Sequence, residues 1–180
     1  MHLTKAAKRY ADALLDLTEE TKQTEVIKKD LAGVLETIMA SKELQNLLRS
    51  PIVKTYDKKE VLLSLFTGKV DKLTISFLSL ITEKGRVSDL SVILLAFEHS
   101  YNLKYKIKKA TVSSAFELSE IQKSELIKSF EQKTESTILA TYHVDSSLKG
   151  GLKVQINDTI YDGTISHKLS RLESLFSSPL

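Results

Sequence analysis

Between residues 150 and 176, GGLKVQINDTIYDGTISHKLSRLESLF, the spacing of apolar side chains switches from one period to another. No other stretch restricts the fold as much. Leu152, Val154 and Ile156 alternate with Lys153, Gln155 and Asn157, the period-two pattern of a half-buried strand. Asn157-Asp158, two residues that tolerate positive φ, precede a second short alternating piece from Thr159 to Tyr161, which predicts a tight hairpin turn. Asp162-Gly163 stops that strand. Ile165, Leu169, Leu172 and Phe176 then recur at spacings of four, three and four, which is one face of a helix. Thr164 is placed to be its N-cap, because its hydroxyl can accept a bond from an otherwise orphaned backbone N–H. The stretch encodes strand, hairpin, strand, turn and helix, and contains no catalytic constellation.

The first two-thirds of the chain read differently. Only two prolines and six glycines occur in 180 residues, so long helices are permitted almost everywhere. Leu3, Ala7, Tyr10, Leu14 and Leu17 form a stripe that predicts a first helix from Thr4 to Leu17. A second apolar row, Ala6 and Ala13 flanked by Ala11 and Leu15, lies elsewhere on the same cylinder. Two readings account for the surplus: a central helix buried on several sides, or a groove where small alanines let a partner helix approach closely. Val26, Ile27, Leu31, Val34, Leu35 and Ile38 predict a helix over 22–39. Ser41 is the expected N-cap of a short helix through Leu44, Leu47 and Leu48, which Ser50-Pro51 ends. Further helices are predicted over 57–66, closed by Thr67-Gly68, and over 71–82, where Leu73, Phe77, Leu80 and Ile81 share a broad face beside Ile75 and Leu78. A long helix is then expected from Ser88 to Lys106, with Asp89 in its first turn.

Past Lys109 the leucine pattern gives way to the β-branched and small residues of Ala110 to Ala115, read as a strand. A helix opens at Ser119-Glu120, with Ser119 as its expected N-cap and Ile121, Leu126, Ile127 and Phe130 inside it. Thr137 to Val144 alternates again, placing Ile138, Ala140, Tyr142 and Val144 on one face. The fold class is therefore mainly α: an N-terminal six-helix bundle over residues 1–106, then a small α+β domain over 107–180 with helices on one face of a sheet.

Composition removes several chemistries. The chain lacks cysteine, so disulfides, thiolate metal sites and cysteine nucleophiles are excluded together. His2, His99, His143 and His167 lie far apart, without metal-ligand spacing. Asp158 and Asp162 are explained by hairpin turns, and Gly150-Gly151 lacks the lysine and hydroxyl residue of a phosphate loop. His143 or His167 beside Asp145 or Asp162 would make an acid–base pair, but surface histidines are the commoner reading. No catalytic residue, metal site or cofactor is expected. The net charge of +3 and pI near 8.9 are mildly basic, with basic and acidic residues interspersed. The densest basic cluster, Lys104, Lys106, Lys108 and Lys109, reads as a solvated helix end. No apolar run approaches the ~20 residues of a membrane span, and the N-terminus lacks the pattern of a secretory signal or transit peptide.

Three separated motifs carry a resemblance. Ala7 to Leu14, AKRYADAL, is similar to an opening Arg-x-Tyr-Ala-x-Ala pattern. Phe77 to Val87, FLSLITEKGRV, resembles a helix ending in Asn-Gly-Arg, with Lys84 in place of the common Asn. Residues 150–172 resemble a Gly-Gly, strand, Ile-Tyr-Asp-Gly-Thr-Ile, Leu-Ser-Arg-Leu signature. Together they look like the delta subunit family of the rotary ATP synthase, the family of the oligomycin-sensitivity-conferring protein. The resemblance implies a non-catalytic stator subunit that links the catalytic head to the peripheral stalk and so couples proton flow to ATP synthesis. It implies that the N-terminal part, 1–106, binds an amphipathic N-terminal helix of an alpha subunit through its first and fifth helices, with Tyr10, Ala13, Leu14, Phe77, Leu80 and Ile81 as the expected contacts. The C-terminal part, 107–180, would engage the peripheral b stalk, for which the surfaces around Arg171 and the charged segment Lys123 to Lys133 are open alternatives. One copy per complex is expected, at the cytoplasmic face of a bacterial inner membrane, reaching the membrane only through the complex and binding no nucleic acid. The alternative is an RNA-binding helical protein of the transcription antitermination type, which would present a one-sided basic surface.

Overall fold

The computed structural model describes residues 4–177. They are mainly helical with one four-stranded sheet, and the chain separates into two compact units, Met1–Tyr101 and Asn102–Leu180.

The first unit is helical. α1 (Lys5–Glu20) starts at Thr4, whose hydroxyl accepts from the Ala7 N–H, and α2 (Thr24–Ala40) follows a turn in which Lys22 takes φ of 57°. α3 (Lys42–Arg49) is capped by Ser41, as expected, and stops before Pro51. α4 (Thr55–Phe66), α5 (Lys72–Glu83) and, after a 3₁₀ turn at Val87–Asp89, α6 (Leu90–Lys104) complete the series. Polar side chains lock these helices at their ends. The Asp30 carboxylate accepts from the Asp71 N–H at 2.6 Å and the Thr74 hydroxyl at 3.1 Å, a negative charge at the N-terminus of α5 where the helix dipole favours it. Buried Lys58 donates to the Leu48 and Ser50 carbonyls at 2.9 and 2.7 Å, satisfying acceptors that α3 leaves open at its C-terminus. Ser100 donates to Asp12 at 2.6 Å, joining α6 to α1. The core between these ties is apolar, and Ile27, Ile38, Leu62, Leu78, Ile81, Leu90, Ile93 and Phe97 are almost fully enclosed. Each side chain of this size contributes about 1.5–3 kcal/mol when moved out of water.

In the second unit β1 (Ile107–Ser114), α7 (Glu120–Thr134) and β2 (Thr137–Val144) form a crossover that pairs the two strands in parallel, Ala110 opposite Ala140 and Val112 opposite Tyr142. β3 (Leu152–Ile156) runs antiparallel to β1, and β4 (Thr159–Asp162) returns along β3 after a turn at Asn157, whose φ is 50°. The sheet order is β2-β1-β3-β4. One face carries the core of Ala110, Val112, Ile138, Val154 and Ile156, covered by Leu118 and by Leu126, Ile127 and Phe130 of α7. α8 (Ile165–Ser177) ends the described chain.

Four sequence expectations need correcting. The long helix ends at Lys104 instead of Lys106, and the first strand begins at Ile107 instead of Ala110. The cause is a left-handed residue: Lys106 has φ of 51°, turning the chain straight from helix into strand. The cluster Lys104 to Lys109 is accordingly a helix end only at Lys104, the last residue of α6, since Lys108 and Lys109 belong to β1. Finally, the stripe Ala7, Tyr10, Leu14, Leu17 mixes two faces of α1. The buried face is Ala7, Ala11, Leu14, Leu15 and Thr18, while Leu17 is 41% exposed. Leu3 of that stripe, and the side chains of Leu172 and Phe176 in the last helix, lie outside the described residues.

Candidate functional site

Because a helix turns 100° per residue, a second stripe lies one step back from the buried one on α1. Ala6, Tyr10, Ala13 and Leu17 form it, at spacings of four, three and four, and none of them is buried. This stripe opens into a groove of about 330 Å³ lined by Ala6, Arg9, Tyr10, Ala13 and Arg86. The alanines leave its floor low, the half-buried Tyr10 ring supplies an apolar surface, and both arginines are exposed.

Arg86 arrives from the end of α5 through a defined backbone device. The Arg86 N–H bonds to the Ile81 carbonyl at 3.0 Å and the Gly85 N–H to the Thr82 carbonyl at 2.9 Å, with Gly85 at φ of 67°. This is a Schellman motif, and the left-handed residue it requires explains a glycine at position 85. The Arg86 guanidinium stands 3.9 Å from the Asp89 carboxylate, a loose and exposed pair.

The six residues anticipated for the site divide by burial. Tyr10 and Ala13 line the groove, and Leu80 is 42% exposed on α5. Leu14, Phe77 and Ile81 point into the core of the unit, where they hold α1 and α5 rigid. Sequence reasoning did not name Ala6, Arg9 and Arg86 as contacts. The signal for the first two was present, because positions 6, 9, 10 and 13 share one helical face. Arg86 depends on the path of the chain after Gly85. A second hollow of about 230 Å³ runs between α2 and α6, floored by Leu31, Ala32, Leu35, Leu94 and Phe97 and rimmed by Lys28, Glu36 and Glu98.

The second unit exposes apolar side chains of its own. Ile165 and Leu169 on α8 are 49% and 55% exposed, so the apolar face of that helix lies open along its described part. In the segment Lys123 to Lys133, two lysines fold back on their own sheet. Lys123 pairs with Glu120 at 2.7 Å and lies 5.3 Å from the Tyr142 ring centre, and Lys133 lies 4.4 Å from that of Tyr161. Arg171 is exposed.

The carboxylates near the histidines form turns. Asp162 accepts from the Thr164 N–H at 2.9 Å and hydroxyl at 2.7 Å, and these bonds hold its pKa below the ordinary aspartate value. Thr164 in turn caps α8, accepting from the His167 N–H at 3.2 Å. Asp145 accepts from the Ser147 hydroxyl and N–H, which lower its pKa similarly. The Asp162–Thr164 turn explains the glycine pair before β3. A Cβ on Gly151 would stand 2.5 Å from the Gly163 carbonyl oxygen, and one on Gly150 would stand 2.6 Å from the Ile165 side chain. The Ile165 N–H also bonds to the Gly150 carbonyl at 3.1 Å. The Gly-Gly and Asp-Gly-Thr-Ile motifs are thus two halves of one close backbone approach. Among the described residues no group of three or more His, Asp or Glu side chains stands in metal-binding geometry.

Comparison with known proteins supplies an independent observation. A family model described as the ATP synthase delta (OSCP) subunit matches residues 6–176. The ATP synthase subunit delta of Chlorobaculum tepidum is 36% identical over 175 residues, covering 97% of each chain. That of Desulforamulus reducens is 36% identical over 172 residues, covering 96% of this chain and 95% of the other. Among solved structures, a chain of the Toxoplasma gondii mitochondrial ATP synthase hexamer is similar over 98% of this chain and 100% of that one, with a TM-score of 0.68 and 25% identity.

Proposed function

The chain belongs to the ATP synthase delta (OSCP) subunit family, and from that premise we propose how its two units divide the work. It is a non-catalytic delta subunit of the ATP synthase stator. The family match supports this reading over the RNA-binding one. In our reading, residues 1–106 act as a six-helix bundle that seats the amphipathic N-terminal helix of an alpha subunit, and residues 107–180 engage the end of the peripheral b stalk. One copy per complex links head to stalk. No helix among the described residues is long and apolar enough to cross a membrane. In the proposal the protein meets the cytoplasmic face of a bacterial inner membrane only through its partners.

The observation that carries the first assignment is the double stripe of α1. Its buried face satisfies the core, and a complete second apolar face remains at the surface, bordering a groove. A helix laid there would bury side chains at i, i+3, i+4 and i+7 against Ala6, Tyr10 and Ala13. Each well-buried aliphatic anchor contributes about 1.5–3 kcal/mol, and several are needed to offset the loss of freedom on association. The mechanical role follows from rigidity. The stator resists the torque of the rotor, so a seat for the head must not slip. α1 is held by five enclosed side chains, its Thr4 cap and the Asp12–Ser100 bond. The open face of α8 is the feature that supports a contact by the second unit.

Ala13→Asp tests the seat. Ala13 is exposed, so the fold tolerates the change, but a carboxylate would stand on the apolar floor. Calorimetric titration with a peptide of the alpha-subunit N-terminus is expected to show binding to the parent protein and none to the variant, with unchanged helicity. Equal affinity for both proteins would remove the groove from the proposal.

A further inference from the structure

We infer that the groove on α1 selects an occupant carrying carboxylates along the flanks of its apolar face, an acidic amphipathic helix. The inference rests on the reading of this groove as the alpha-subunit seat, and it specifies the chemistry that the seat demands. Among the described residues that line it, Ala6, Tyr10 and Ala13 form an apolar floor, the other two are Arg9 and Arg86, and none is acidic. The arginines reach the groove from different elements, Arg9 from the second turn of α1 and Arg86 from the Schellman turn that ends α5. Helix spacing alone produces the first. The second needs the left-handed Gly85, so the chain commits a special backbone conformation to bringing a cation there.

The guanidinium group makes the preference specific. It is planar, permanently charged, and matches a carboxylate with two parallel N–H donors. The internal competitor of Arg86 is weak: the Asp89 carboxylate is 3.9 Å away and both side chains are about half exposed, so water screens the pair. A carboxylate delivered by a docked helix would displace it under better desolvation. A helix flanked by lysine or arginine would meet like charge on the rim and lose affinity. The rim thus discriminates among apolar helices that the floor alone accepts.

The test uses the full chain and two synthetic amphipathic helical peptides of identical apolar face, one flanked by Glu and one by Gln, beside the alpha-subunit N-terminal peptide. The Glu peptide is expected to bind about tenfold tighter than the Gln peptide, as charged hydrogen bonds require, and the difference is expected to shrink with added salt. In the Arg9→Gln/Arg86→Gln double variant the two peptides should bind within about twofold of each other. Equal binding to the parent protein, or a Glu preference that survives in the double variant, would overturn the charge rule while leaving the apolar seat intact. Failure of all three peptides to bind the parent protein would overturn the seat as well. An RNA oligonucleotide is added as competitor, and displacement of the Glu peptide by it would assign the arginines to phosphate instead. The salt series on the parent protein needs no variant and so stands even if a substitution perturbs folding.

Discussion

α6 and α7 have the same length, 15 residues, and almost opposite surroundings. α6 buries seven of its side chains, among them Ile93, Leu94, Phe97 and Tyr101, whereas α7 buries none. Leu126, Ile127 and Phe130 of α7 rest on the sheet but remain half-buried. The first unit is therefore stabilised by helices enclosed on several sides. Among the described residues, the second depends on strand pairing and on a core of five enclosed residues beneath α7. Regions with few buried apolar contacts open at lower free energy than enclosed ones. The unit proposed to seat a guest helix is built on a deep core here, and the unit with the thinner described core leaves apolar helix surface open, as α8 does.

The contrast can be broken most severely at Phe97, which is 2% exposed. Phe97→Ala is expected to cost about 3–5 kcal/mol and to accelerate amide exchange through α1–α6. Unchanged exchange there would mean that the deep core does not stabilise the unit. Gly151→Ala should rank next, at about 3 kcal/mol, because the new Cβ meets the Gly163 carbonyl oxygen at 2.5 Å in a residue with φ of 81°. Its effect should fall on β3, β4 and the start of α8, and a variant with parental melting behaviour would refute the close approach. Phe130→Ala sharpens the comparison with Phe97, since the same truncation on a half-buried helix is expected to cost only about 1–2 kcal/mol. A loss as large as that of Phe97→Ala would show the second core to be deeper than its burial indicates.

The smallest expected effect is electrostatic. The Thr164 N–H and then its hydroxyl depress the Asp162 pKa, so the folded state binds this proton less readily than the unfolded chain. Its contribution is then fully present above the unfolded value of about 4 and is lost as pH falls through the depressed folded value. The amide resonances of Thr164 and His167 should titrate with a midpoint below that of a free aspartate, and Asp162→Asn should abolish the titration. A midpoint at the ordinary value would contradict the geometry.

Much of this was legible because it is local. Ser41, Ser119 and Thr164, expected as N-caps, all hold caps, with Ser119 and Gln122 forming a complete capping box. β2 runs from Thr137 to Val144, as its alternation indicates. What could not be read depends on conformation or on distant partners. Lys106 takes a left-handed turn, a conformation that lysine does not advertise, and the helix and strand boundaries on either side moved with it. The two apolar stripes of α1 are equally plausible core faces to a periodicity argument, which places Tyr10 and Leu14 on one stripe. Arg86 was visible within a family motif, but its place in the groove follows from a turn geometry that spacing does not encode.

The Asp12–Ser100 bond has a consequence for the rotational phase of α1. Turning that helix by about 100° would exchange Ala7, Ala11, Leu14 and Thr18 for Ala6, Ala13, Tyr10 and Leu17, one mostly apolar set for another. Burial alone separates the two settings weakly. Asp12 separates them strongly, because in the wrong phase its carboxylate would leave the Ser100 hydroxyl 88 positions away in the chain. One polar pair thereby acts as an index pin, fixing which side of the first helix faces inward and which is offered outward.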